Sequence, residues 1–386
     1  MWTIDRGDDI ILCLLDLSAA FDTIDHNILI NRLERRFGIK DNALSWLTSY
    51  LQARSQRVTI NSTTSPSKSL STGVPQGSVL GPILFTLYMS PLGDLIRENG
   101  CHYTCYADDT QLYINIGKDD TTAITQLTTC LDSIREWMAA NMLKLNENKT
   151  EILYIQSRFK KPQVSATDIN IGGSTVKFSK SVRNLGVIFD EHMTMEAHIA
   201  HISKSAYAVI RKISHLRKFL NKSTTEKLVH AFLTSRLDYC NSLLYGVTEK
   251  SLNHVQRFQN TAARIITKKR KYDHITPIFI SLHWLPVRQR ISYKILLITY
   301  KILNNLAPPY LSDVINIPNP TRSLRSNDAL LLKKPKIKTQ NYGGRTLAFA
   351  AASLWNSLHI STRTCKNYTA FKKRIKTELF KEAFNL

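Results

Sequence analysis

At 386 residues and 43% hydrophobic content, the chain has the composition of a globular protein and room for two or three domains. Six cysteines without a regular spacing argue against a disulfide scaffold and for a reducing compartment. The net charge of +22 is lopsided: residues 1–190 carry 19 Lys+Arg against 20 Asp+Glu, whereas residues 191–386 carry 33 against 10. A surface built for solubility mixes both signs, so the imbalance points to phosphate contact by the back half.

In chain order, Ile10-Ile11-Leu12-Cys13-Leu14-Leu15 is an unbroken apolar run, which predicts a strand buried on both faces and ending at Asp16. The run is too short, and too soon interrupted by Asp16, for a secretory signal. An unpaired buried acid costs several kcal/mol, so Asp16 calls for a compensating charge. Small residues follow it as far as Phe21, leaving room for a substrate, and Asp22 and Asp25 suit the start of a helix. Residues Asn27 to Gln56 read as amphipathic helix, with Ile28, Leu29, Leu33, Phe37, Leu44, Trp46, Leu47 and Leu51 facing a core. Ser69 to Gly93 is free of charge, but Gly73, Pro75, Gly77, Gly81 and Pro82 exclude an ordinary membrane span. Glycine there permits close backbone approach, and a helix is predicted from Leu80 to Leu92.

Cys101 to Thr104 reads as a strand, and Leu112 to Ile116 alternates with the period of a half-buried one. Asp108 and Asp109 therefore sit at a hairpin tip. Asp-Asp is also ordinary turn composition, and the pair gains meaning only beside Asp16. Hard oxygen ligands from two neighbouring strands suit Mg²⁺, the layout of a two-metal phosphoryl-transfer site. Thr121 to Asn141 is helical. Leu143 to Glu151, containing Lys149, leads into the strand Ile152 to Ile155, and Val182 to Asp190 is a short strand with a bend at Gly186. Long basic helices follow from Met195. Ser223 to Glu226 suggests a capping box opening a helix through Tyr239, and Ser251 to Thr267 forms another, ending in Lys268-Lys269-Arg270-Lys271. Further lysines at 333, 334, 336 and 338 and on a final helix at 372, 373 and 376 continue the basic texture.

Taken together and in order from Ile10 to about Asp190, these blocks resemble the palm of a reverse transcriptase of the non-LTR (long interspersed element) retrotransposons, jockey and chicken-repeat branch. The resemblance implies an α+β, right-hand polymerase fold. Its palm, an antiparallel sheet packed on helices, would occupy 1–190 with part of the fingers at 27–72. An α-helical thumb at 191–272 and a small, mainly helical basic domain at 273–386 would follow. It implies RNA-directed DNA polymerase activity with two Mg²⁺ (Mn²⁺ as the alternative) on Asp16, Asp108 and Asp109. Leu17, Phe21, Gln76 and Gly77 would meet the substrate, Phe21 by excluding a 2′-hydroxyl and Gln76 and Gly77 beside the base pair. Lys149 would protonate the leaving pyrophosphate, and Leu185 and Gly186 would grip the primer.

The partners implied are an RNA template, a DNA primer or target and deoxynucleoside triphosphates, with no membrane. The setting implied is a ribonucleoprotein of nucleus and cytoplasm, where Lys268 to Arg270 and Lys271 would also serve as a localisation signal. Core packing for Phe21 and a plain surface role for Lys149 stay open. An RNA-directed RNA polymerase would favour a polar residue in place of Phe21. The other rival is a catalytically silent nucleic-acid-binding remnant. It arises because Met1 lies close before Asp16, where the family's fingers come first, so an N-terminally truncated fragment is expected.

Overall fold

In a computed structural model, which describes all residues except 118–119, 161–167, 172 and 316–329, the apolar run becomes the strand Asp9–Leu15. It is third in a six-stranded sheet. From one edge the order is His102–Tyr106, Asp109–Ile116, Asp9–Leu15, Glu151–Ile155, Ser174–Ser179 and Asp168–Ile171. All pairs are antiparallel except Glu151–Ile155 with Ser174–Ser179, where Phe178 lies opposite Ile152 in parallel register. The sheet is therefore mixed, not wholly antiparallel as expected. The hairpin 168–179 docks by its second strand, whose direction repeats that of Glu151–Ile155.

Burial along Asp9–Leu15 alternates. Ile11, Cys13 and Leu15 are buried, while Ile10, Leu12 and Leu14 are half-covered. The expectation of burial on both faces is corrected: one face packs into the core and the other is only partly screened. The helix Asp120–Ala140 sets Leu127, Leu131, Ile134 and Met138 into the same core, a stripe at three- and four-residue spacing. Each such side chain contributes roughly 1.5–3 kcal/mol.

The stretch read as one helix from Asn27 to Gln56 is two, His26–Arg35 and Asp41–Leu51, separated near Gly38 at φ +66°. Asp25 caps the first by accepting from the Ile28 N–H at 2.9 Å. The break turns Trp46 outward to 59% exposure and leaves Phe37 exposed as well, so neither is a core residue; Leu29, Leu33 and Leu51 are. Residues 54–70 then form two small exposed hairpins. The helix expected from Leu80 to Leu92 ends at Met89, and Leu92–Glu98 starts afresh after Pro91, which has no N–H to continue the ladder.

The chain divides into two compact units. One is Asp8–Val182, just described; the other joins Met1–Gly7 to Arg183–Leu386. The expected limit at 190 thus falls earlier, and the first residues pack with the C-terminal part. There Asp5 accepts from the backbone N–H groups of Lys338 (2.9 Å) and Thr339 (2.6 Å). Burial works against the charge on Asp5, but these donors outweigh it and hold the carboxyl below its usual range.

The second unit is helical. Its single core runs from Val187 to Leu379 and includes Phe258, Trp284, Tyr300, Trp355 and Phe371. No division appears at 272/273. The helix Glu249–Thr267 buries Leu252, Val255, Phe258, Ala262 and Ile266 in that core, and Gln259 Nε2 donates to the Leu285 carbonyl at 2.9 Å. Thumb and C-terminal residues therefore share one interior. The cap expected at Ser223 lies earlier, at Asn221, which accepts from the Thr224 N–H at 2.8 Å. Among the described residues, no helix is long and apolar enough to cross a membrane.

Candidate active site

The strands His102–Tyr106 and Asp109–Ile116 pair from Tyr106 opposite Asp109, which leaves Ala107 and Asp108 as the turn. Ala107 takes a left-handed conformation at φ +53°, uncommon without glycine. On the other side Thr110 lies opposite Leu15. The next residue outward on each strand is Asp109 and Asp16, so the register alone brings the two acids alongside each other at the hairpin mouth.

Their electrostatics agree with that placement. The Asp109 carboxyl is pushed above its usual range, first by desolvation and then by repulsion from Asp108 and Asp16. Asp16 is 30% exposed at its side chain, yet its Oδ2 is buried without a hydrogen-bond partner. Lys149 Nζ lies 3.4 Å from that oxygen, an ion-pair contact without hydrogen-bond geometry, and the lysine is itself 68% exposed. Among the described residues, no three His, Cys, Asp or Glu side chains already form a metal-binding group. The acids are neighbours around an oxygen that only an exposed ammonium partly balances, not a closed cage. Such a donor set fits a hard divalent cation, which keeps several positions for water and phosphate.

Lys149 reaches this place through a pairing that local sequence does not reveal. The Ser18 N–H donates to the Lys144 carbonyl, and the Asn146 N–H to the Asp16 carbonyl, both at 2.9 Å. The short turn Glu147–Lys149 then carries the ammonium back towards Asp16.

Leu17 is buried in the core, so only its backbone is available to a substrate. Phe21 is half-buried and stacked on Phe85, with ring centroids 4.6 Å apart. The Gly73 block is sewn to the same segment. The Gly73 N–H donates to the Ile24 carbonyl (2.8 Å) and the Val74 N–H to the Phe21 carbonyl (3.0 Å). A Cβ on Gly73 would meet the Asp22 carbonyl at 3.0 Å, and its φ is +87°, so glycine is required there. A Cβ on Gly77 would meet nothing within 4 Å, although its φ of +78° favours glycine.

Gln76 is exposed and donates from Nε2 to Asp22 Oδ1 at 3.0 Å. Asp22 is thus the side chain that orients Gln76, a role the sequence reading missed by assigning it to a helix dipole. His26, also missed, sets its Nε2 2.8 Å from the Gly73 carbonyl. A groove of about 710 Å³ is lined by Asp22, His26, Arg54, Gln56, Thr72 and Gln76 among others. Asp16, Asp108 and Asp109 do not line it. The structure sets Asp109 beside Asp16, with Asp108 next to it in the turn and Lys149 on Asp16, and gathers Gln76 with Asp22 and Arg54 in another place.

In the hairpin Ser181–Asn184 and Val187–Asp190, Leu185 and Gly186 form the turn at φ +45° and +82°. The Tyr239 hydroxyl donates to the Leu185 carbonyl at 2.5 Å. Asp190 accepts from the N–H groups of Thr194 (2.8 Å) and Met195 (2.7 Å).

Residues 4–189 match the sequence profile described as reverse transcriptase (RNA-dependent DNA polymerase). Over this segment the chain is similar to the reverse transcriptases. Among its relatives is the probable RNA-directed DNA polymerase from transposon BS of Drosophila melanogaster, 26% identical over 294 residues, or 72% of this chain and 31% of that protein. Another is the RNA-directed DNA polymerase from mobile element jockey of the same species, 26% identical over 263 residues, covering 66% and 28%. The chain therefore spans about a third of the length of these relatives. Among solved structures, apo telomerase from Candida tropicalis aligns over 79% of the chain and 53% of its own, with 11% identity and a TM-score of 0.38. At that score the likeness carries no weight here. The reverse transcriptase segment includes Asp16, Asp108, Asp109, Lys149, Gln76 and the Leu185–Gly186 turn, and stops just before the basic helices.

Proposed function

We propose that Asp8–Val182 is the palm of an RNA-directed DNA polymerase, which adds deoxynucleotides to a primer 3′-hydroxyl on an RNA template. The observation that carries this reading is the meeting of Asp16 with Asp108 and Asp109 across adjacent strands. One buried oxygen there has no hydrogen-bond partner, and one carboxyl is destabilised by its neighbours. Asp16, Asp108 and Asp109 would hold two Mg²⁺, or Mn²⁺, which when bound lower the pKa of the attacking hydroxyl and offset charge on the phosphates.

The remaining work falls to the chain's own residues. Phe21, braced by Phe85, limits the room beside the sugar. Gln76, oriented by Asp22, is set to touch the forming base pair, with Gly77 keeping the backbone clear. Lys149 offers an ammonium proton to the leaving pyrophosphate as the hydroxyl oxygen, its own proton lost to solvent, bonds to the α-phosphorus and the bridging P–O bond breaks. The Leu185–Gly186 turn, held by Tyr239, is the candidate primer grip. The excess of 33 Lys+Arg over 10 Asp+Glu in residues 191–386 supports contact with template and primer phosphates.

The test is primer extension on a homopolymer RNA template. It uses this chain, and a longer protein carrying it in place of the matching part of a related polymerase. Extension should depend on a divalent cation, and Asp108→Asn should abolish it while RNA binding persists. A tenth of the activity left in that variant would remove Asp108 from the site. Binding without extension by either protein would favour the silent-remnant reading.

A further inference from the structure

Two helix ends in the C-terminal unit are clasped together by one arginine. Arg217 follows the helix Glu196–Leu216. Its Nε donates to the Ile265 carbonyl (2.8 Å) and its Nη2 to the Ile266 carbonyl (2.9 Å), at the end of Glu249–Thr267. Its Nη1 donates to the Leu220 carbonyl at 2.5 Å, closing the loop on itself. The clasp satisfies carbonyls that a helix C-terminus leaves bare.

On either side of the clasp the chain presents cations and bare rings. Lys218 and Phe219 emerge from one strand of it, and Lys268-Lys269-Arg270-Lys271-Tyr272 from the other. Phe219 is 76% exposed and Tyr272 89%. Lys218 Nζ lies 4.8 Å from the Phe219 ring centroid, and Lys271 Nζ 6.0 Å from that of Tyr272. Tyr272 sits on an ordered turn: the Arg270 N–H donates to Asp273 Oδ2 at 2.7 Å, and Arg264 Nη2 to the Asp273 carbonyl at 2.9 Å. The Arg270 bond also occupies an oxygen of the one acid in the run 268–273. Neither ring contributes to the core of the unit.

We infer that this clasped end is a stacking platform for single-stranded nucleic acid. Cations satisfy phosphates, and an aromatic face accepts any unpaired base. A duplex has its base faces already stacked and gives such rings little to hold. The inference rests on the proposed function only in taking nucleic acid as the partner. It adds the strand state that this surface selects and the two rings that select it.

Binding of labelled RNA and DNA single strands of about 16 nucleotides to the whole chain tests it, with duplexes of the same sequences alongside. Both rings are exposed, so Phe219→Ala and Tyr272→Ala leave the fold intact. Each should lower single-strand affinity roughly 5- to 150-fold, with duplex binding and the salt dependence unchanged. Lys269→Gln with Arg270→Gln should instead weaken single strands and duplexes alike. On single strands it should also flatten the slope of log affinity against log salt, by about 0.7 for each phosphate that is no longer neutralised. Unchanged single-strand affinity in both ring variants, or equal weakening for duplexes, overturns the platform while leaving the polymerase reading standing. If the parent chain binds neither form, both readings fall.

Discussion

Replacing Asp109 with asparagine should make the ligand-free protein more stable and its response to divalent cations weaker. The variant keeps the side-chain shape and removes one of three negative charges at the hairpin mouth. Repulsion from Asp108 and Asp16 contributes to the raised Asp109 carboxyl, after desolvation. Asp109 is exposed, however, and solvent screens it, so the gain is about 0.3–1 kcal/mol, not the several that a buried cluster would yield. For a unit of this size roughly 2–4 °C accompanies each kcal/mol, giving a rise of ~1–4 °C. A carboxyl whose folded pKa is raised penalises the fold above that pKa, and the penalty disappears as pH falls through it towards the unfolded value of about 3.9. The advantage of the variant should therefore be present at neutral pH and absent near pH 4. Mg²⁺ should act in the opposite sense. At ten times its dissociation constant it adds ~1.4 kcal/mol to the parent, and less to a variant short of one anionic oxygen. Thermal unfolding in EDTA and in Mg²⁺, from pH 4 to pH 8, measures all of this. An Asp109→Asn protein less stable than its parent at pH 7 in EDTA, or one with the full Mg²⁺ shift, would refute the reasoning.

Two further substitutions separate roles that the geometry places side by side. Lys149→Ala removes the ammonium that competes for Asp16 Oδ2. An exposed pair is worth about 0–1 kcal/mol, so the Mg²⁺ concentration for half-maximal thermal shift should fall, by up to ~5-fold. Extension by the longer protein should fall ~100-fold or more through loss of the proton donor, and a rise in the Mg²⁺ requirement would contradict the competing role. Phe21→Ala should admit ribonucleotides, read as the ratio of deoxy- to ribonucleotide incorporation. It should also cost ~1.5–3 kcal/mol, below the range for a fully buried Phe because the ring is half-exposed. The same stability loss with an unchanged ratio would make Phe21 a packing residue alone.

What was legible in the sequence is what short-range pattern encodes. An apolar run ending at Asp16 and an alternating stretch after Asp109 are enough to place acids at strand ends, because side-chain direction repeats every two residues. What was not legible depends on residues far apart in the chain. Asp22 looks like an early-helix acid until the Gly73 block folds over it and turns its carboxylate towards Gln76. Trp46 and Phe37 carry core chemistry, but the break near Gly38 leaves Phe37 in an exposed turn and Trp46 on the outer side of the second helix, whose Leu44 and Leu47 face the core. The second unit shows the limit most clearly. Each helix from Glu249 to Leu303 announces its own apolar face, yet nothing local says that those faces meet in one interior shared with Val187 and Phe371.

The places where local preference is overridden cluster at the hairpin mouth. Ala107 holds a left-handed turn that asparagine or glycine would occupy more easily. Asp109 is repelled by Asp108 and by Asp16, and Asp16 keeps a buried oxygen that nothing hydrogen-bonds. The exposed Lys149 is too weakly held to neutralise the group. Sequences that fold well satisfy local geometry, charge and hydrogen bonding at once, and depart from this mainly where function demands it. Three departures within three residues of chain and one neighbouring strand end leave an excess of negative charge that a bound cation would balance. This is the physical reason to expect a cation there, independent of any likeness to polymerases.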